Sequence, residues 1–180
     1  LGAIAENHAH ASHLRAAARA IAQATGAALN RIPQGANALG LAQHGVLPGV
    51  GGHHAAAQLA KAKTGYLLYN IEPAYDFTDA TVALKALSAA KVVAFSVYAS
   101  DSLKQVADLI LPIAAAAETE GSYTNLDGRV QFTSAGGKPR GEARPGWRVL
   151  RALGDAIGVA GFGHMDLGAL RALQDSNFNL

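Results

Sequence analysis

The pattern of apolar and polar positions changes period several times along the chain. Between positions 66 and 111, three short apolar runs are separated by segments of helical length. Parallel strands need a connecting element of about this length, and strands that are apolar on both faces suit a sheet covered by helices. The pattern therefore predicts strands at 66–71, 91–97 and 108–111, joined by a helix from a Thr78 cap to about Ala89 and a helix from an Asp101 cap to about Val106.

The residues before this region predict one surface helix followed by irregular structure. Residues 14–25 place apolar side chains on one helical face, after a Ser12 cap and before Gly26 as a stop. We expect a short strand at 27–32 that ends before a proline. We also expect an extended loop at 34–52, which contains six glycines, and a further helix at 53–63.

After Pro112 the pattern changes, and apolar and polar positions alternate within residues 122–133. Residues 122–133 contain Asp127-Gly128 between two runs of β-forming residues, which predicts a hairpin. An irregular arm is predicted at 134–146. Beyond it, the pattern predicts a helix from Trp147 to Gly158, a helix at 165–173, and a polar tail at 174–180 that is expected to be disordered.

Length and composition limit the size of the core. A chain of 180 residues is long enough for one sizeable core or for a piece of a larger domain. Leu1 is not an initiator residue, so we expect a piece of a longer protein, with 1–180 forming a single domain. Many of the hydrophobic residues are alanine, which buries little apolar area, so the expected core is modest.

Charge and cysteine content exclude several functions. The chain has 15 Lys and Arg against 13 Asp and Glu, a balance too even to indicate a nucleic acid or an anionic membrane as partner. The absence of cysteine excludes disulfides, thiolate zinc sites, iron–sulfur ligation and a cysteine nucleophile within these residues. The apolar run at 109–117 contains a proline and is shorter than the roughly 20 residues that span a bilayer.

Two groups of histidines are candidate ligand sites. His8, His10 and His13 are close enough in sequence to ligate a metal, but they have no carboxylate or cysteine partner at useful spacing, which favours a solvated terminus. His53-His54 follow the glycine loop at 49–52, where a helix start could hold a phosphate. That loop lacks the spacing of known phosphate-binding motifs, so a turn between elements is the preferred interpretation.

Polar side chains near the strand ends and the turns are further candidates. Ser96, Ser100 and Ser102 surround a strand end, where open α/β sheets bind ligands, although helix capping is the preferred role. Glu118 and Glu120 have the composition of a catalytic carboxylate pair. A cap, or an ion pair that involves Arg129, is preferred for them.

A basic segment from Lys138 to Arg151 contains five bases around Trp147. Arginine and tryptophan are both enriched in protein–protein interfaces, so this composition suits a protein contact. A solvated loop that is packed by one tryptophan is an equally weighted alternative.

A longer set of motifs resembles one known family. The central run is Ala-Asp-Leu-Ile-Leu-Pro at 107–112, followed by Glu118, by Gly121 with Asn125, and by Gly-Arg-Val-Gln at 128–131. Supporting matches lie at 25–26, 35–37, 141–144 and 150–153. The chain resembles the molybdopterin oxidoreductases, and most closely the large iron–sulfur subunits of NADH-quinone oxidoreductase, respiratory complex I. The family's Asn-Pro turn is interrupted here as Asn70-Ile71-Glu72-Pro73.

The resemblance implies a fold, a role and a location. The fold is α/β, with a doubly wound, mainly parallel sheet flanked by helices as in formate dehydrogenase and DMSO reductase, plus a small β-hairpin insertion. The role is structural, because the iron–sulfur clusters that carry electrons from NADH toward quinone lie in an N-terminal part outside these residues. The implied partners are other peripheral-arm subunits on the cytoplasmic side of a bacterial inner membrane, without nucleic acid or membrane insertion.

The resemblance assigns no catalytic, metal-binding or cofactor-binding residue within the chain. It implies that one motif is a relic of the side of the fold that faces the pterin in the family. The residues of this relic motif are Glu118, Gly121, Asn125, Gly128, Arg129 and Gln131. The alternative within the family is a molybdopterin guanine dinucleotide-dependent oxidoreductase such as formate dehydrogenase, in which 118–131 would help to shape the pterin pocket. A third hypothesis is a nucleotide-binding module that uses the 49–52 loop.

Overall fold

The computed structural model describes the backbone of residues 1–177 and the side chains of residues 1–172. The helices are α1 (Ala3–Glu6), α2 (Ala11–Thr25), α3 (Ala38–Gln43), α4 (Ala55–Ala60), α5 (Ala80–Ser88), α6 (Asp101–Val106), α7 (Gly146–Ala156) and α8 (Leu167–Asn177). The strands are β1 (Gly65–Tyr69), β2 (Lys91–Ser96), β3 (Leu109–Pro112), β4 (Gly121–Thr124) and β5 (Val130–Thr133), with a 3₁₀ turn at Ala116–Glu118. The prediction of a disordered tail at 174–180 was wrong for 174–177, which form the end of α8, and 178–180 lie outside the described residues.

These elements form two compact units. Unit 1 contains residues 1–54 and 121–134, and unit 2 contains residues 55–120 and the chain from Ala135 onward. The expectation of a single domain over 1–180 stays a prediction.

The three parallel strands of unit 2 confirm the predicted α/β class. Their order in the sheet is β1-β2-β3, so each crossover joins neighbouring strands. Tyr69 pairs with Phe95 near the end of β1, and Ser96 pairs with Pro112 at the end of β3. All three strands lie within one or two residues of their predicted bounds.

The helices α5 and α6 supply the rest of the apolar core of unit 2. The core cluster comprises Leu68, Leu87, Val92, Ala94, Leu103 and Val106. Asp79 caps α5 by accepting a hydrogen bond from Val82 N at 3.0 Å. Ser100 caps α6 by accepting from Leu103 N at 3.1 Å. The predicted caps Thr78 and Asp101 were each one residue away, because the extended backbone needed at a cap occurs at Asp79 and Ser100.

Unit 1 depends on polar contacts. Every buried hydrophobic side chain in the part of the chain that the structure describes belongs to unit 2. In unit 1, the Glu6 carboxylate accepts from Arg31 Nε at 2.8 Å and from Arg15 Nη1 at 3.1 Å. These contacts join α1, α2 and the segment that follows α2. Helix α2 is confirmed with its stop at Gly26, but it starts at Ala11, so Ser12 lies inside the helix.

Two predictions for unit 1 were wrong. Residues 27–32 form no strand, and the backbone bonds of this segment to Leu1, at Asn30 O and Ile32 N, are too few to build a ladder. The loop predicted at 34–52 contains α3, whose alanine, leucine and glutamine residues favour helix despite the surrounding glycines.

The predicted hairpin is confirmed in unit 1. Strands β4 and β5 pair in antiparallel fashion from Gly121 with Thr133 to Thr124 with Val130. Asn37, which precedes α3, accepts from Thr124 N through Oδ1 at 2.8 Å. This bond ties the hairpin to α3.

The remainder of unit 2 follows the predicted order. Residues 134–145 contain no helix or strand, and Ala114 N donates to Arg144 O at 2.9 Å at the end of this arm. Helices α7 and α8 are both confirmed. No helix among the described residues combines the length and the hydropathy needed to cross a membrane.

The close packing of α7 gives a first prediction. A Cβ added at the buried Gly154 would overlap Cγ, Cδ1 and Cε1 of Phe162. We expect Gly154→Ala to lower the free energy of unfolding by about 1–3 kcal/mol through overpacking. Chemical denaturation measures the change.

The matched control removes the obstructing ring. On a Phe162→Ala background, Gly154→Ala should be neutral or stabilising, because alanine favours helix by about 1 kcal/mol over glycine. Equal destabilisation on both backgrounds would contradict the packing explanation.

The Glu6 ion pairs give a second prediction. The hydrogen bond from Arg31, supported by Arg15, lowers the pKa of Glu6 from 4.5 to about 2. Because the folded pKa is depressed, the ionised carboxylate stabilises the fold above pH 4.5, and this contribution is lost as the pH falls toward 2. We expect wild type to be more stable than Glu6→Gln at neutral pH, with the difference shrinking over that range in denaturation curves.

Glu142→Gln removes an exposed carboxylate and serves as the control. A stability difference between wild type and Glu6→Gln that does not change with pH would show that the ion pairs are not its cause.

Candidate functional site

The carboxyl ends of β1 and β2 form the first candidate site, in unit 2. Parallel strands bring these ends to one edge of the sheet, where α/β proteins bind ligands. Asn70 follows β1 with φ +51° and donates its backbone N–H to Phe95 O at 2.7 Å. This left-handed backbone conformation, which asparagine tolerates better than most residues, turns the chain toward Glu72.

Glu72 accepts hydrogen bonds from two of the candidate serines. Ser100 Oγ donates to Glu72 Oε1 at 2.7 Å, and Ser102 Oγ donates to the same oxygen. Ser100 Oγ also accepts from Leu103 N. Its hydroxyl group therefore acts as the acceptor in the helix cap and as the donor to Glu72. The hydroxyl groups of Ser100 and Ser102 at this edge therefore already donate to a carboxylate of the chain itself.

Ser96 is satisfied within its own turn. Its Oγ donates to Tyr98 O at 2.7 Å and accepts from Tyr98 N at 3.2 Å. The capping role preferred from the sequence is confirmed for Ser100, while Ser96 closes the turn after β2.

Glu118 of the predicted relic motif and its neighbour Glu120, the candidate carboxylate pair, also make local contacts in unit 2. Glu118 accepts from Ala115 N at 3.1 Å and thereby closes the 3₁₀ turn. Glu120 lies 3.8 Å from Arg171 across an ion pair. The cap and the ion pair that the sequence favoured over catalysis are both observed, although the ion-pair partner is Arg171.

The other residues of the relic motif lie on the hairpin of unit 1. Asn125 Oδ1 accepts from Asp127 N at 3.0 Å and from Arg129 N at 2.9 Å, which holds the turn between β4 and β5. Gly128 has φ +78°, a conformation that favours glycine. Gly121 begins β4, Gln131 lies in β5 opposite Tyr123, and the side chains of Arg129 and Gln131 are exposed. The motif residues on this hairpin thus shape its turn and strands.

A cavity of about 880 Å³ lies within unit 1 between segment 30–47 and the hairpin turn. Its lining is mainly apolar, with Leu39, Leu41, Leu47 and Leu126, and it also includes Asp127. Its volume is in the range of small-molecule pockets, and its lining suits an apolar group.

The histidine candidates form no metal site in the part of the chain that the structure describes. The ring centroid of His10 lies 5.6 Å from those of His8 and His13, and His8 Nδ1 accepts from His10 N. No group of three or more His, Cys, Asp or Glu suited to a metal occurs in the described residues. In the glycine loop, Gly52 N donates to Gly49 O at 2.9 Å, which forms the turn preferred from the sequence.

Sequence reasoning missed two organising residues. Glu72 was visible in the sequence only as part of the interrupted Asn-Pro turn, and its bonds with Ser100 and Ser102 were not predicted. Asn37 was noted in a family motif, but its bond to Thr124 joins residues 87 positions apart and has no local signal.

Comparisons with known proteins agree on one family. The family described as molybdopterin oxidoreductase matches residues 1–156. The mitochondrial NADH-ubiquinone oxidoreductase 78 kDa subunit of Neurospora crassa is 45% identical over 69 residues, which are 37% of this chain and 9% of that protein. The mitochondrial NADH dehydrogenase [ubiquinone] iron-sulfur protein 1 of Solanum tuberosum is 41% identical over 66 residues, 37% of this chain and 9% of that protein.

A further relative is a different kind of enzyme. The assimilatory nitrate reductase catalytic subunit of Bacillus subtilis is 35% identical over 95 residues, 52% of this chain and 13% of that protein. The chain therefore spans only a small part of the length of each of these relatives.

The hairpin turn gives a third prediction. Asn125→Ala removes the oxygen that accepts from Asp127 N and Arg129 N. We expect a loss of about 1–2 kcal/mol of hairpin stability. Faster amide hydrogen exchange in β4 and β5 measures it.

Asn125→Asp keeps an oxygen acceptor at the same position and should retain most of the protection. If the alanine and aspartate variants exchange at the same rate, the side-chain bonds do not hold the turn.

Proposed function

Because the chain belongs to the molybdopterin oxidoreductase family, we propose that it is a non-catalytic structural domain of the iron–sulfur subunit of NADH-quinone oxidoreductase, complex I. In this role it supports electron transfer from NADH to quinone by iron–sulfur clusters that lie outside these residues. The predicted resemblance to the family and to its NADH dehydrogenase members is confirmed by the matched relatives.

The carboxylate of Glu72 is the observation that carries the proposal. A molybdopterin dinucleotide presents phosphates, which need hydrogen-bond donors and positive charge. Here the hydroxyls of Ser100 and Ser102 donate to Glu72, and the carboxylate would repel a phosphate. The residues at these strand ends do not fit the phosphates of the cofactor, so no chemical step is assigned to it.

The relic motif supports the same conclusion. Glu118 closes a turn and Asn125 holds the hairpin, so each has a local structural role. We propose that Gly121, Gly128, Arg129 and Gln131 likewise persist as framework, and that no residue in the chain is catalytic, binds the cofactor or ligates a metal.

Finer features of the fold and the assembly belong to the same proposal. We propose that the three parallel strands are part of a doubly wound sheet and that the neighbours are other subunits of the peripheral arm. The proposed location is the cytoplasmic side of a bacterial inner membrane.

A second candidate is a working molybdopterin guanine dinucleotide-dependent oxidoreductase, such as formate dehydrogenase. The nitrate reductase match favours it, since that match covers 52% of the chain. A cysteine or selenocysteine metal ligand upstream in the parent protein would distinguish this candidate from the first.

The metal content of the full-length parent protein tests the proposal. We expect abundant iron with molybdenum and tungsten far below stoichiometry, because the strand ends are occupied by Glu72. Elemental analysis of the protein purified from its natural source, together with NADH oxidation by the same preparation, makes the measurement.

A molybdenum enzyme purified from the same cells is the control for cofactor supply. Molybdenum or tungsten near one atom per parent chain would contradict the structural assignment and favour the second candidate.

A further inference from the structure

The basic segment, residues 138–151, has a concentrated positive charge. Its bases are Lys138, Arg140, Arg144, Arg148 and Arg151, against one carboxylate, Glu142. The first four bases are exposed. The positive charge of this nearly balanced chain is therefore concentrated in one short segment.

The contacts of these bases leave their charge uncompensated. Arg144 donates to the carbonyl oxygens of its own loop, Arg148 lies 5.2 Å above the ring of Trp147, and Arg151 contacts Met165 Sδ. None of the five bases has a carboxylate within ion-pair distance among the described residues. Uncompensated surface charge of one sign attracts partners of the opposite sign.

Several carboxylates elsewhere in unit 2 already have partners within the unit. Asp108 pairs with Lys91 at 2.8 Å, Glu120 pairs with Arg171, and Glu72 accepts from two serines. Asp79 and Glu118 accept from backbone N–H groups. The exposed Asp155 lies four residues after Arg151 in α7 but makes no ion pair with it among the described residues. We therefore expect the compensating charge for the basic segment from another molecule.

We propose that the basic segment is a docking surface for an acidic patch on a neighbouring protein subunit. Arginine binds carboxylates through two parallel hydrogen bonds and is enriched in protein interfaces. A single-stranded nucleic acid would use exposed aromatic rings for stacking, and the nearly balanced charge of the whole chain does not indicate a duplex as partner. Trp147 is half-buried beneath Arg148, so a protein partner suits this segment better.

Charge reversal in the parent protein tests the surface. Lys138→Glu with Arg140→Glu reverses two exposed charges that lie in the irregular arm, outside any helix or strand. Arg19→Glu with Lys61→Glu is the matched control, because it reverses one arginine and one lysine that are also exposed. Both double variants change the net charge equally, and their unfolding midpoints should agree.

Assembly of the parent with its native subunits is the readout, measured by size exclusion over a range of salt concentrations. We expect the Lys138/Arg140 variant to assemble about tenfold less well than the control at low salt. The difference should close near 1 M salt, where the screening length falls to about 3 Å. Equal assembly of the two variants at every salt concentration would overturn the inference.

Carbodiimide coupling identifies the partner group directly, since it joins an amine to a carboxylate in contact. We expect Lys138 to couple to an aspartate or glutamate of a neighbouring subunit in the native assembly. Protection of Lys138 by nucleic acid instead of protein would contradict the proposal.

This inference rests on the proposed function, which supplies the neighbouring subunits. Different experimental outcomes contradict the proposed function and the docking surface. A wild-type parent that is purified with no other NADH-quinone oxidoreductase subunit contradicts the proposed function. A parent that assembles normally while the charge-reversed variant assembles equally well contradicts only the docking surface.

Discussion

The burial of the central strand β2 is the constraint on which unit 2 depends. Val92, Ala94 and Phe95 are almost fully buried, because β2 pairs on both edges and is covered by the core helices. Lys91 is exposed and Val93 is only partly buried on the opposite face from Val92 and Ala94, so a shift by one residue would move side chains to the wrong faces. This fixed register places the turn after Ser96 opposite the turn that carries Glu72.

Glu72 shows that the chemistry of a sheet edge depends on the residues of its turns. The core residues specify the sheet, whereas the turn residues specify what the edge accepts. The two residues between Asn70 and Pro73 include Glu72, whose carboxylate accepts from Ser100 and Ser102. The edge remains well organised because the chain satisfies its own hydroxyl groups, which is what a structural role requires.

The sequence predicted those parts of the structure that have a local signal. The three parallel strands, their helices and the hairpin at Asp127-Gly128 follow from apolar period and turn chemistry. The strand expected at 27–32 failed because a strand also needs a partner, and propensity does not provide one. The Glu72 contacts with Ser100 and Ser102 could not be predicted, because they join residues 28 and 30 positions apart through the folded core.

The chain leaves unit 2 after Glu120 and returns at Ala135, with the β4–β5 hairpin between these points. Gly136 N donates to Ala117 O at 2.8 Å, so the departing and returning segments are joined at their base. The entropy of closing a loop grows only slowly with its length, by about 0.6 kcal/mol for each doubling. Unit 2 can therefore accept insertions or deletions in this excursion at little entropic cost, so the contacts of the hairpin within unit 1, such as Thr124 with Asn37, are what constrain its length.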